Sequence, residues 1–254
     1  MEIVKGGREM SKYAVVTGNE RGIGKALTVD LARQGYDVLV NWFENEQDGA
    51  DVVRECQQYG VKALLHYCDV REFDQVRKMK EFALENFGPD LQVFVNNAGM
   101  SIAGKLIEQD PADYMTVVNT DLIGAMHCAH EFGPVLKDNK AGWFIIIGSC
   151  SGIRSTLGNC AYGVAKAGIM GLTRGLAQEL GPYGVTVNNI APGYINTARS
   201  AAFCGPEMIA GIKKTQVLDL IGIEEYIVTA MNYLLANPFV SGQTLMVNGG
   251  SLMF

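Results

Sequence analysis

The chain has no surplus of positive charge. Its 21 lysines and arginines face 27 aspartates and glutamates, for a formal charge of -6. Without a basic footprint, nucleic acid and anionic membrane surfaces are not expected partners, and a small molecule is. An ordered cysteine pattern is missing too: the six cysteines, at 56, 68, 128, 150, 160 and 204, include no C-x-x-C pair. That argues against a disulfide framework or zinc site and for reduced, mostly buried thiols. His127 and His130 flank Cys128, but at a helical spacing that reads as surface or core, so no metal is expected. No apolar stretch approaches the roughly 18 residues that span a bilayer. Met1 to Met10 holds Glu2, Lys5, Arg8 and Glu9 around two aliphatic residues, not the apolar run of a secretory signal. A cytoplasmic location is the expectation. Linkers, low-complexity stretches and repeats are absent as well, which leaves one domain as the consistent count.

What is abundant is glycine, with 30 residues, and apolar character, at 48%. Short aliphatic and aromatic runs recur at 13–17, 36–41, 61–66, 91–95, 143–147, 185–190 and 243–247. Such continuous runs read as strands buried on both faces of a parallel sheet. Between them the spacing turns helical. Ile23, Leu27 and Leu31 recur every four residues, with Gly35 placed as a C-terminal cap, and Phe73, Val76, Lys80, Ala83 and Phe87 end at Gly88-Pro89. Strand and helix alternate along the whole chain, which predicts an α/β fold with a doubly wound parallel sheet and right-handed crossovers.

The first strand runs into Thr17-Gly18-Asn19-Glu20-Arg21-Gly22-Ile23-Gly24 and then straight into a helix. Glycine suits 18 for the turn, 22 for close approach of backbone to a pyrophosphate, and 24 for packing helix on strand. The helix N-terminus would then face the phosphates. Further along, Tyr162 and Lys166 stand four apart, one turn of a helix, so both can meet the same ligand. A reaction that builds negative charge on an oxygen calls for a proton donor and a hydrogen-bond donor there. Tyrosine alone is a weak candidate at its ordinary pKa of about 10, and a neighbouring ammonium favours its phenolate.

With its T-G-x-x-x-G-x-G loop, Asn96-Asn97-Ala98-Gly99, Asn119, Ser149, Tyr162-Gly163-Val164-Ala165-Lys166 and Pro192-Gly193-Tyr194-Ile195-Asn196-Thr197, the sequence resembles the short-chain dehydrogenase/reductase family from about Lys12 to Gly250. The resemblance implies a Rossmann-like single domain over 11–254, after an N-terminal extension at 1–10, with a small substrate-covering lobe at about 194–222. It implies Tyr162 as the general acid in reduction and Lys166 as the residue that acidifies it and binds the nicotinamide ribose. Ser149 would donate to the substrate oxygen, with Ser151 as its rival, and Asn119 would hold a water linking Lys166 to solvent. For the cofactor it implies Gly18, Asn19, Arg21, Gly22, Ile23 and Gly24 at the phosphates. Asp69, Val70, Asn97, Ala98 and Gly99 would lie on the adenine side, and Pro192, Gly193, Ile195 and Thr197 at the nicotinamide. Asp69 also reads as a helix cap.

At the end of the second strand, where a carboxylate would select NAD, this chain has Trp42, and Arg21 is suited to a 2′-phosphate. NADP(H) is therefore favoured over NAD(H), although Phe43 supplies no second basic charge and Glu44 lies close enough to oppose a phosphate. Phe203, Met208, Ile209 and Tyr194 give the lobe apolar character. These favour a small apolar or ring-bearing ketone or secondary alcohol, hydroxysteroid-like or similar. The alternatives are a 3-oxoacyl-[acyl-carrier-protein] reductase, whose carrier-docking positions match Lys140 and Tyr183, and a non-catalytic NAD(P)-sensing or scaffold protein. Thr215 to Ile223 departs from the family, which often has a proline and an arginine there. The resemblance also implies a homodimer or homotetramer, and the apolar ending Ser251 to Phe254 calls for cover.

Overall fold

The computed structural model describes residues 12–201 and 204–253; the extension expected at 1–10 and the lobe residue Phe203 lie outside them. Seven strands among the described residues form one parallel sheet: β1 (Tyr13–Val16), β2 (Asp37–Trp42), β3 (Ala63–Tyr67), β4 (Leu91–Asn96), β5 (Gly142–Ile147), β6 (Val185–Pro192) and β7 (Thr244–Val247), in the order β3-β2-β1-β4-β5-β6-β7. All seven fall within two residues of the runs read from sequence. The central strands are almost wholly buried, because helices cover both faces and a parallel sheet has no solvated side.

The alternation of side chains along each strand sorts the core into two layers. Val16, Val40, Val95 and Ile145 face helices α1 (Gly22–Arg33), α2 (Glu46–Gln57) and α9 (Glu224–Ala236), which contribute Leu27, Leu31, Val52 and Met231. Val15, Leu39, Phe94 and Phe144 face the other way. There they meet α3 (Phe73–Phe87), α5 (Gly124–Asn139) and α6 (Cys160–Leu180) through Val76, Met79, Phe132 and Ile169. Phe94 stacks on Phe132 at 4.6 Å and meets Phe144 at 4.9 Å. Truncating a buried ring of this kind to alanine costs about 3–5 kcal/mol.

The remaining helices are α4 (Pro111–Val118), α7 (Ala198–Ala201) and α8 (Pro206–Lys214). Asp110 caps α4, its side chain accepting from Ala112 N. Between α4 and α5 the chain makes one π-helical turn, Asn119–Ile123, a rare conformation that concentrates at functional sites. Where the family would carry proline and arginine, the chain after α8 is tied by main-chain bonds to the segments that follow β7 and β6: Val217 N and Leu218 N both donate to Gly249 O, and Asn196 N donates to Gly222 O. Strand order reverses between β1 and β4, which opens a crevice at their carboxyl ends.

Candidate active site

That crevice is a cleft of about 510 Å³. Its floor at one end is the loop from β1 to α1. Gly18 has φ +60, and a Cβ there would lie 2.9 Å from Ala98 Cα; at Gly24 one would lie 2.5 Å from the Asn97 side-chain nitrogen. Both positions need glycine for these reasons. Thr17 ties the loop to β4, its Oγ1 accepting from Asn97 N and Ala98 N at 3.0 Å each, while Asn97 Nδ2 donates to Thr17 O and Gly18 O. Arg21 precedes α1 without any side-chain cap on the helix's first amides. Those N–H groups are therefore left for an anion, and Gly22, Ile23 and Gly24 line the cleft there.

Asn19 and Trp42, expected at the cofactor, do not line the cleft. Asn19 is fully buried and works as a buckle: its Oδ1 accepts from Asn41 N at 2.7 Å and its Nδ2 donates to Thr28 Oγ1, while Asn41 Oδ1 accepts from Gly18 N. β2 continues through residue 42, and side chains alternate along a strand. Asn41 and Phe43 consequently reach the cleft, whereas Trp42 meets Tyr67 edge-on at 4.9 Å and packs against Gly49 of α2. The outer rim carries charge in pairs. Arg21 pairs with Glu44, and Glu20 accepts from Phe43 N at 2.9 Å and from Asn45 N.

Asp69 lines the cleft but is not the cap of α3, whose N-cap is Glu72. Its Oδ1 accepts from Arg71 N, and the Arg71 guanidinium grips both carboxylate oxygens at 2.6–2.9 Å. Burial pushes the Asp69 pKa up, and the Arg71 contacts outweigh it, so the carboxyl sits below its ordinary value. Arg71 also lies over the Phe43 ring at 5.3 Å and lines the cleft, a second cation that sequence reading missed. Its only sequence signal was position, two residues past Asp69.

At the other end, Ser149 follows β5, and Tyr162 and Lys166 occupy the first two turns of α6; all three line the cleft. Ser149 Oγ accepts from Ser151 N at 3.1 Å. Ser151 is not among the lining residues, so Ser149 is the serine that faces a ligand. Among the described residues the Tyr162 hydroxyl has no protein hydrogen-bond partner, and Lys166 Nζ lies 5.5 Å from the centre of its ring. Lys166 is buried, donating to Ile147 O at 3.1 Å and pairing with Asp121 Oδ2 at 3.1 Å. Burial opposes its charge, but Asp121 and Tyr162 more than offset that and raise its pKa above the ordinary lysine value.

Asn119, expected to hold a water linking Lys166 to solvent, is not among the residues that line the cleft; Thr120 is, and Asp121 pairs with the lysine. The π-helical turn that begins at Asn119 sets these directions, and no residue pattern marks it. A lone acid among Leu122, Ile123 and Gly124 was the available clue. Pro192, Gly193, Ile195 and Thr197 line the wall above β6 together with Tyr194. The histidines near Cys128 are surface contacts: His127 Nδ1 lies 3.1 Å from Val70 O and His130 Nδ1 3.1 Å from Glu131.

Residues 12–204 match the family described as short chain dehydrogenase. The chain is 32% identical over 251 residues to the 3-oxoacyl-[acyl-carrier-protein] reductase FabG of Staphylococcus epidermidis, covering 96% of this chain and 100% of the relative. It is 31% identical over 252 residues to the 3-oxoacyl-[acyl-carrier-protein] reductase of Synechocystis, covering 96% and 98%. A short-chain type dehydrogenase/reductase from Mycobacterium ulcerans superposes with a TM-score of 0.90 at 27% identity, over 95% of this chain and 89% of the other.

Proposed function

The chain belongs to the short-chain dehydrogenase family and is an NAD(P)-dependent oxidoreductase acting on CH–OH and ketone groups; from that premise we propose that it reduces a small apolar or ring-bearing ketone with NADPH, Tyr162 giving the proton. The observation that carries this reading is the grouping of Ser149, Tyr162 and Lys166 at one end of a cleft whose other end is an uncapped helix N-terminus behind a glycine loop. Those residues fit a dinucleotide: free first-turn amides can meet a pyrophosphate, behind a loop whose close packing on Ala98 and Asn97 requires glycine at 18 and 24.

The nicotinamide supplies or accepts hydride when bound. Arg21 and Arg71, which line the cleft, would hold a ribose 2′-phosphate, and Asp69, Val70, Asn97, Ala98 and Gly99 would hold the adenine side. Pro192, Gly193, Ile195 and Thr197 would hold the carboxamide side. At the reacting end, Ser149 Oγ–H and Tyr162 O–H converge on the ketone oxygen, where donors act most as negative charge develops. Tyr162 then passes its proton to that oxygen, and Lys166 stabilises the phenolate left behind. Oxidation runs the same steps backwards, with Tyr162 as base.

A second reading, reduction of a 3-oxoacyl thioester on an acidic carrier, is supported by the names of the relatives and by one surface feature. Lys137 Nζ lies 4.8 Å over the Tyr183 ring, which puts an ammonium beside the position where the carrier-docking pattern lacks one. A panel of ring ketones and acyl thioesters, each assayed with NADPH and NADH, separates the two; tight NADPH binding with no turnover of any member supports the sensing alternative instead. No helix among the described residues is long and apolar enough to cross a membrane. Met115, Met126 and Val164 are exposed on α4, α5 and α6, a surface suited to pairing of two copies; a monomer by light scattering contradicts that.

A further inference from the structure

The carboxylate behind the proposed catalytic lysine is fixed in place. Asp121 is fully buried. Its Oδ1 accepts from Met100 N at 2.7 Å, and its Oδ2 lies 3.1 Å from Lys166 Nζ, whose side chain is 5% exposed. Gly99 closes over the pair: a Cβ there would stand 3.1 Å from Asp121 Oδ2 and 3.2 Å from Lys166 Nζ. Gly99 thus closes one side of the pair.

Among the described residues the groups that meet the lysine are few. From β5, Lys166 meets only the Ile147 carbonyl, and from the segment after β4, Asp121 meets the Met100 amide. Asp121 in the π-helical turn and Tyr162 on α6 are the titratable groups that act on the lysine. An ammonium by itself favours a neighbouring phenolate, and a carboxylate opposes it. At about 3 Å an ion pair has no net charge, so beyond its own dimensions its field is a dipole's, far weaker than a lone cation's.

We infer that Asp121 is a positioning residue that offsets the charge of Lys166 as Tyr162 meets it, and so extends to higher pH the range over which Tyr162 serves as proton donor to a ketone. This rests on the proposed proton-transfer role of Tyr162 and Lys166. It gives the site a bias in its working range: reduction holds up into alkaline solution, and oxidation starts only at higher pH.

The test is the pH profile of kcat, in both directions, for wild type, Asp121→Asn, Asp121→Ser and Tyr162→Phe. Both neutral variants are expected to lower the inflection by about one pH unit, the size that a nearby charge commonly imposes. The same downward shift is expected in the tyrosinate absorbance of the cofactor-free protein, taken as the difference between each background and its Tyr162→Phe counterpart. A purely structural role for Asp121 moves nothing downward: a displaced Lys166 raises the inflection or lowers the rate at an unchanged one. An unchanged or raised inflection in the neutral variants, with Tyr162→Phe inactive, overturns the inference and leaves the catalytic pair intact. Full turnover by Tyr162→Phe overturns the pair itself, and the inference with it.

Discussion

At the glycine-loop end of the cleft the polar side chains are bonded before any ligand arrives and the first-turn amides of α1 are what stays open, whereas at the Tyr162 end two hydroxyls are held in reserve. Thr17 bonds the segment that follows β4, Asn19 accepts from Asn41 N while Asn41 accepts from Gly18 N, Glu20 holds the turn after β2, and Arg71 grips Asp69. Tyr162, by contrast, has no protein hydrogen-bond partner among the described residues, and Ser149 Oγ only accepts, from Ser151 N. The difference follows from what each end must do. Holding phosphates and rings requires backbone set in advance, so that little ordering is left for binding. Proton transfer requires donors whose partner is the reacting oxygen itself.

That contrast breaks most sharply at the reserved end. Tyr162→Phe removes the proton donor and little else, and kcat for ketone reduction is expected to fall about 1000-fold, within the usual range for general acid catalysis. NADPH affinity, measured by fluorescence titration, stays near wild type because the prebuilt end is untouched. Ser149→Ala is expected to cost about 100-fold in kcat, as loss of one donor to a developing oxyanion does, again with cofactor affinity retained. A large loss of NADPH affinity in either variant contradicts the division.

At the prebuilt end the same scale of change acts on binding and stability. Gly24→Ala places a Cβ 2.5 Å from both Asn97 Nδ2 and Gly18 O, so the loop must shift; NADPH affinity is expected to drop more than about 10-fold, since overpacking costs about 1–3 kcal/mol. Thr17→Val leaves the Asn97 and Ala98 amides without their acceptor. Stability is expected to fall by about 2 kcal/mol, or about 5 °C in Tm for a chain of this size, read by thermal denaturation. If Thr17→Val instead melts like wild type, the loop is not held through that hydroxyl.

How much of this was legible depends on whether a residue's direction follows from local period. The strands read true because burial on both faces leaves continuous apolar runs such as Phe144 to Ile147. Gly18 and Gly24 read true because space alone dictates glycine there. Tyr162 and Lys166 lie on a regular helix, where four residues return to one face. The expected site residues that do not line the cleft fall where the period changes. Asn119 and Asp121 share a π-helical turn, whose wider pitch redirects side chains without any sequence mark. Trp42 is the last residue of β2 and not the first beyond it, and a single step along a strand reverses the face. Arg71 and Asn19 depend on loop paths that no period describes.

The mildest change tests how far the rim belongs to the prebuilt end. Arg21 and Glu44 pair there with side chains 38% and 45% exposed, so solvent screens them and the pair contributes little to stability. Its effect should fall on cofactor choice instead. While Glu44 is charged it both occupies the Arg21 guanidinium and repels a 2′-phosphate, leaving Arg71 as the other cation at this end of the cleft. Glu44→Gln removes the repulsion and releases Arg21. The KM for NADPH is expected to fall about threefold, a change worth about 0.7 kcal/mol at the usual conversion, with the KM for NADH unmoved and the gain shrinking as salt is added. An equal gain for both cofactors would mean that Glu44 acts on the loop's shape and not on the phosphate, which would make this rim a continuation of the rigid end.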